Sequence, residues 1–107
     1  MKTRLVLLLS LSLATTASAQ SATELWATKC KSCHGSDGRA QTPMGKKESI
    51  VDMTQPAWQK AQDDSDIREA IAEGSSRNKK MKPYKDKLTP EQINSLVGFI
   101  RGLKKGN

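Results

Sequence analysis

Three kinds of hydrophobic pattern follow one another along the chain. Residues 5–14 form a nearly unbroken apolar run. A long middle stretch, residues 36–62, has Met44, Ile50, Val51, Met53 and Trp58 scattered without a period among Asp37-Gly38, Thr42-Pro43, Gly45 and Gln55-Pro56. Near the C-terminus, Ile93, Leu96, Val97, Ile100 and Leu103 recur at the three- and four-residue spacing of one helix face. Thr89-Pro90-Glu91-Gln92 supplies that helix with an N-cap, a proline at its first position and a capping box, and Lys104-Lys105-Gly106 suits its end. Ile67, Ala70 and Ile71 predict a shorter helix capped by Ser65 and stopped at Gly74. Ser21-Ala22-Thr23-Glu24 predicts a further capping box and a helix from about Ala22 to His34-Gly35. Residues 36–62 read as a loop with short helical pieces at best, too apolar for a disordered insert and long enough to be wrapped around something. No alternating strand pattern and no internal repeat is visible, so the fold class is all-α, with about three to four helices.

The first run changes the domain count. Lys2 and Arg4 precede it, and Ala17-Ser18-Ala19 follows with the small-x-small pattern of a signal-peptidase site. About ten apolar residues fall well short of the roughly twenty needed to span a bilayer. Residues 1–19 are therefore expected to be a cleaved signal peptide, without stable membrane insertion, and residues 20–107 one domain of 88 residues. That domain contains only eighteen residues among Val, Ile, Leu, Met, Phe, Trp and Tyr. So thin a core calls for a staple, a metal or a large apolar guest. Sixteen basic residues against eleven acidic ones leave a formal +5. In an exported chain this favours an acidic protein surface as partner over nucleic acid.

Both cysteines and the sole histidine lie within Cys30-Lys31-Ser32-Cys33-His34. A disulfide here would close a very short loop and stabilise little. A structural zinc site wants four ligands, and there is no second pair and no second His. A thioredoxin-like oxidoreductase carries its motif after a strand, whereas this one follows a capped helix. The pattern matches c-type haem attachment. Cysteines three apart share one helix face and can bond one edge of a porphyrin, and the next residue, His34, is carried beneath the iron as proximal ligand.

With these residues in place, residues 20–107 resemble a small class I cytochrome c, a monohaem electron carrier of the bacterial periplasm. The resemblance runs from Leu25-Trp26 through "CHGSDGR" to "KMKPYKDKLTPEQINSLVGFIRGLK". It implies a cytochrome c fold around one covalently attached haem c, with the N- and C-terminal helices crossing where Trp26, Leu96 and Phe99 meet and where Ala22 and Gly98 let the backbones approach. Many relatives have Gly where this chain has Ala40, which bears on the loop after the motif.

A second axial ligand cannot be another His. Met44 and Met53 lie close after His34 and read as core filler. Met81, among Lys79, Lys80 and Lys82, is not explained by a core, and "KMKPY" is similar to the family's methionine-ligand loop. Met81 is accordingly the expected distal iron ligand, as in the His/Met pairs of cytochromes c. The Pro43 carbonyl is a candidate acceptor for the proximal imidazole, and Trp58 and Tyr84 have polar tips suited either to haem propionates or to ordinary core hydrogen bonds. Arg77, Lys79, Lys80, Lys82, Lys85 and Lys87 crowd the Met81 segment. The resemblance places that cluster at the haem edge, where it would steer a monomeric carrier onto acidic surfaces of a redox donor and acceptor. The expected activity is one-electron transfer in the periplasm rather than catalysis. The alternatives are a haem-based sensor or weak peroxidase with an open sixth position, and a Cys-x-x-Cys oxidoreductase.

Overall fold

The computed structural model describes Ser10, Ser12 and residues 20–103. The rest of the expected signal segment and residues 104–107 lie outside the described residues. Among those described there is no strand, and the helices occur in five stretches. The first is continuous from Ala22 to His34: helix α1 (Ala22–Leu25), a π-helical turn (Trp26–Cys30) and helix α2 (Lys31–His34). Ser21 caps it by accepting from the Glu24 amide at 3.2 Å, while the expected return bond from Glu24 is not made. The π turn closes with the Lys31 amide donating to the Trp26 carbonyl, five residues back. One residue is thereby added to the turn, which re-phases the helix between buried Leu25-Trp26 and the two cysteines.

Gly35, at φ +81°, ends this stretch, and its amide donates to the Lys31 carbonyl at 2.8 Å. The middle stretch contains two short helices, α3 (Pro43–Lys47) and α4 (Pro56–Ala61), each with proline in its first turn. They are the short helical pieces that the sequence allows there, too brief for an apolar period to mark their bounds. Helix α5 (Asp64–Glu73) begins before the expected Ser65 cap. Asp63 is the N-cap, and Asp66 Oδ2 accepts from the Asp63 amide at 2.9 Å. A carboxyl pair at the helix start suits the helix dipole better than the hydroxyl of Ser65, two residues further on. Helix α6 (Pro90–Arg101) starts as the sequence predicts, with the Thr89–Gln92 capping box made in both directions.

The core is built where α1 crosses α6. Leu25 and Leu96 are fully buried, and Trp26, Met53, Ile67, Ile71, Leu88, Ile93, Val97 and Ile100 complete the cluster. The Trp26 and Phe99 rings lie 4.9 Å apart between centroids, within the range in which tilted aromatic pairs attract. Gly98, however, does not serve the close approach expected of it. A methyl built there meets nothing within 4 Å. Gly98→Ala should therefore stabilise the protein by about 0.5–1 kcal/mol, since it removes a mid-helix glycine without a clash. Thermal unfolding of the holoprotein reads this as a midpoint raised by about 3–6 °C, and a lowered midpoint would restore the crossing role.

At the far end of α6, Arg101 locks the linker between α4 and α5. Its Nε pairs with Asp64 Oδ1 at 2.7 Å, and its Nη atoms donate to the Gln59 and Gln62 carbonyls. Gln59 in turn donates to the Met53 and Ile100 carbonyls at 2.8 and 2.9 Å. The apolar middle stretch is thus fastened to α6 by polar contacts to its backbone.

Candidate functional site

Between α2, the middle stretch, α5 and the segment after Gly74 lies a cavity of about 680 Å³. Cys30, Cys33, His34 and Met81 all border it, so residues up to 51 positions apart in sequence meet at one space. Trp26, Ile67, Ile71, Leu96 and Ile100 supply apolar wall from the core. This is the room for a guest that the thin core implied. Met44 and Met53 border it too; Met53 is 95 % buried among the core residues, in keeping with a filler role.

The motif is held from behind by a compact backbone knot. The Thr42 hydroxyl donates to the Cys33 carbonyl at 2.7 Å and accepts from the Gly45 amide at 2.9 Å. The Ala40 amide donates to the His34 carbonyl at 2.8 Å. Ala40 is buried and has φ +57°, the left-handed region that glycine enters at no steric cost. That conformation gives a physical reason for glycine at this position in relatives.

The indole N–H of Trp26 donates to the Gly35 carbonyl at 2.9 Å, and the Trp26 and His34 rings are 5.8 Å apart. Burial lowers the His34 pKa, which keeps the imidazole neutral and therefore able to ligate a metal. Its Nδ1 is sealed from solvent and has no hydrogen-bond partner among the described residues. The Pro43 carbonyl, a candidate acceptor, makes no bond to it in this structure. Pro43 opens α3, where a carbonyl belongs to the helix's own ladder. Burial also pushes the Cys30 thiol up to about 11, against the lowering effect of Lys29. A nucleophilic redox cysteine requires the opposite shift.

Tyr84 spends its hydroxyl proton on the Lys29 carbonyl at 3.1 Å, tying the segment after Met81 to the π turn. Trp58 is half-buried and lines the cavity. The basic cluster is partly neutralised: Lys85 pairs with Glu73 at 3.0 Å and Lys80 with Glu48 at 3.8 Å. Asp66, Glu69 and Glu73 of α5 border the same cavity, so its mouth carries both signs of charge. Glu48 and Asn78 also stand at the mouth, hydrogen-bonded to each other at 3.0 Å. Sequence reasoning passed over both, and no periodicity or motif marks them.

A half-buried imidazole, its Nδ1 without a partner, and two thiols thus stand together at the border of this cavity. The family model described as cytochrome c oxidase, cbb3-type, subunit III matches residues 17–100. The chain belongs to this family of small c-type cytochromes. Among solved structures it is similar to the KustC0563 c-type cytochrome, with 37 % identity and a TM-score of 0.73, covering 80 % of this chain and 100 % of that one. A single-substitution variant of Kustc0563 gives 36 % identity and a TM-score of 0.70, covering 79 % and 100 %. No match is found among curated proteins. Membership of the family implies covalently bound haem c and haem-based electron transfer. No helix among the described residues is long and apolar enough to cross a membrane.

Proposed function

We propose that this cytochrome is a one-electron carrier holding a single haem c per chain, exported to the periplasm by cleavage after residue 19. Cys30 and Cys33 form the two thioethers, His34 is the proximal iron ligand and Met81 the distal one. The observation that carries this reading is the convergence of those four side chains on one apolar cavity. When bound, the haem supplies reversible one-electron chemistry at its iron.

The chain's own residues account for the rest. The knot of Thr42, Gly45 and Ala40 fixes the backbone of Cys33 and His34, so the anchoring and ligating groups are placed together. Trp26 packs beside the His34 ring and, through its bond to the Gly35 carbonyl, restrains the end of the motif helix. Leu96, Ile67 and Ile71 exclude water from the interior wall. Met81, a soft thioether donor, fills the position at which a small ligand would otherwise enter, and that favours electron passage over substrate binding. Lys79, Lys82 and Arg77, exposed beside Met81, favour acidic patches on a redox donor and acceptor. The acidic edge of α5 narrows this further, to partners whose acidic patch faces the Met81 segment and not α5.

Attachment is tested on protein made with haem maturation and then unfolded in acid. The expected result is haem retained by the denatured chain, a mass increased by one haem, and thiols that resist alkylation after mild reduction. A Cys30→Ala, Cys33→Ala double variant should release haem under the same treatment. Two alkylatable thiols in the mature protein would instead support the thiol-disulfide reading.

A further inference from the structure

Tyr84 ties the C-terminal end of the Met81 segment to the Lys29, Ile71 and Ala72 carbonyls, and residues 75–82 themselves are held across the cavity by one cluster of side chains. Within the segment, the bonds are local: Met81 N–H to the Asn78 carbonyl at 3.1 Å, Ser75 N–H to the Met81 carbonyl at 3.3 Å, and Lys80 N–H to Asn78 Oδ1 at 2.9 Å. These give residues 75–82 a shape, and the Tyr84 and Lys85 bonds fix only its C-terminal end. Among the described hydrogen bonds and ion pairs, those from residues 75–82 to another segment all end on Glu48. Asn78 Nδ2 donates to Glu48 Oε2 at 3.0 Å, and Lys80 Nζ lies 3.8 Å from Glu48 Oε1.

The local backbone aims Glu48 at this task. Glu48 is the C-cap of α3, and Ser49 follows at φ +50°, a left-handed residue whose amide donates to the Lys46 carbonyl. The Ile50 amide donates to the Gly45 carbonyl at 2.9 Å, closing the end of α3 against the knot behind the haem motif. Glu48 thereby stands on the same rigid unit that positions Cys33 and His34. Only 19 % of its side chain is exposed, whereas Lys80 is 61 % exposed. The Asn78–carboxylate bond is charge-assisted and partly shielded, and so outweighs the exposed ion pair.

We infer that Glu48 is a positioning residue, a latch that holds the Met81 segment closed over the cavity through Asn78. This rests on the reading of Met81 as iron ligand. When the latch is released, Met81 and its neighbours move as a unit shaped by their own local bonds, and the distal position opens to an external ligand. The equilibrium between closed and open forms is set by differential stabilisation of the closed one.

Imidazole binding to the ferric holoprotein measures that equilibrium. Glu48→Ala should bind imidazole about tenfold more tightly than the parent, equivalent to about 1.4 kcal/mol. Asn78→Asp keeps the acceptor for Lys80 N–H but sets two carboxylates face to face, and should shift binding at least as far. Combining Asn78→Asp with Glu48→Gln reverses donor and acceptor, since the Gln amide can donate to Asp, and should return binding to within about twofold of the parent, a rescue no general loosening would give. Lys80→Ala should change it by less than about twofold. A parent that shows the far-red sulfur-to-iron band together with unchanged imidazole binding in Glu48→Ala would overturn the latch alone. Absence of the band from the parent would overturn the Met81 assignment and the latch with it.

Discussion

Gly45→Ala should lower the stability of the holoprotein by about 3 kcal/mol or more, a large fraction of the roughly 5–15 kcal/mol typical of a whole domain. A methyl at this position would stand 2.1 Å from the Ala40 carbonyl oxygen, 2.7 Å from its carbon and 2.9 Å from the Cys33 carbonyl oxygen. All three are backbone atoms, so no rotamer change relieves the overlap. Ala40 cannot simply retreat, because it is buried, left-handed and bonded through its amide to the His34 carbonyl. Cys33 and His34 would therefore shift, and a reduced yield of covalently attached haem should accompany the lost stability. Urea unfolding of the purified holoprotein measures the first effect. A midpoint equivalent to less than about 1 kcal/mol of change would mean that the knot is looser than its contacts indicate.

Trp26→Ala comes next in size, at about 3–5 kcal/mol. Only 3 % of this residue is exposed, and it joins the α1–α6 crossing to the motif by packing on Phe99 and reaching the Gly35 carbonyl. Trp26→Phe separates the two roles. It keeps most of the ring contact and loses the indole N–H, leaving the Gly35 carbonyl with only the long 3.4 Å bond from the Gly38 amide, at a cost of about 1 kcal/mol. The two variants compared by urea unfolding should rank in that order, and equal losses would locate the whole effect in the hydrogen bond.

The parts of the fold that the sequence displays are those carried by local signals. Helix α6 has a capping box, a proline at its start and four apolar residues at helical spacing; it starts where these predict and ends at Arg101, short of Leu103. The Cys-x-x-Cys-His motif is equally local, because its chemistry needs adjacent residues. Met81 was singled out by elimination and by resemblance, since there is no second histidine and lysines surround it, and what the structure adds is its place at the cavity border.

What escaped notice depends on contacts between distant segments or on the backbone alone. The π turn leaves no compositional mark: Trp26-Ala27-Thr28-Lys29-Cys30 would serve as well in a regular helix. Helices α3 and α4 last only five and six residues, too short for a period to show. Asp63 took the cap from Ser65 because Asp66 lies three residues beyond it, a reciprocal pair that the hydroxyl of Ser65 obscured. Gly98 and Gly45 invert the expectation most plainly. The glycine at the helix crossing faces open space, and the one inside α3 is pressed against two carbonyls, a difference decided by three-dimensional neighbours. Glu48 belongs with these, since its partner lies 30 residues away.

The central claim, a carrier whose iron is ligated by His34 and Met81, is tested most directly by the visible spectrum of the oxidised and reduced holoprotein beside that of Met81→Ala. The expected result is a far-red sulfur-to-iron band in the oxidised parent that is lost in the variant, with covalent haem kept in both. Loss of the band should go with a lower reduction potential, because the thioether favours reduced iron. A band that survives in Met81→Ala would assign the distal position to Met44 or Met53, and a parent with covalent haem but no band would contradict the carrier and favour a sensor with an open sixth position.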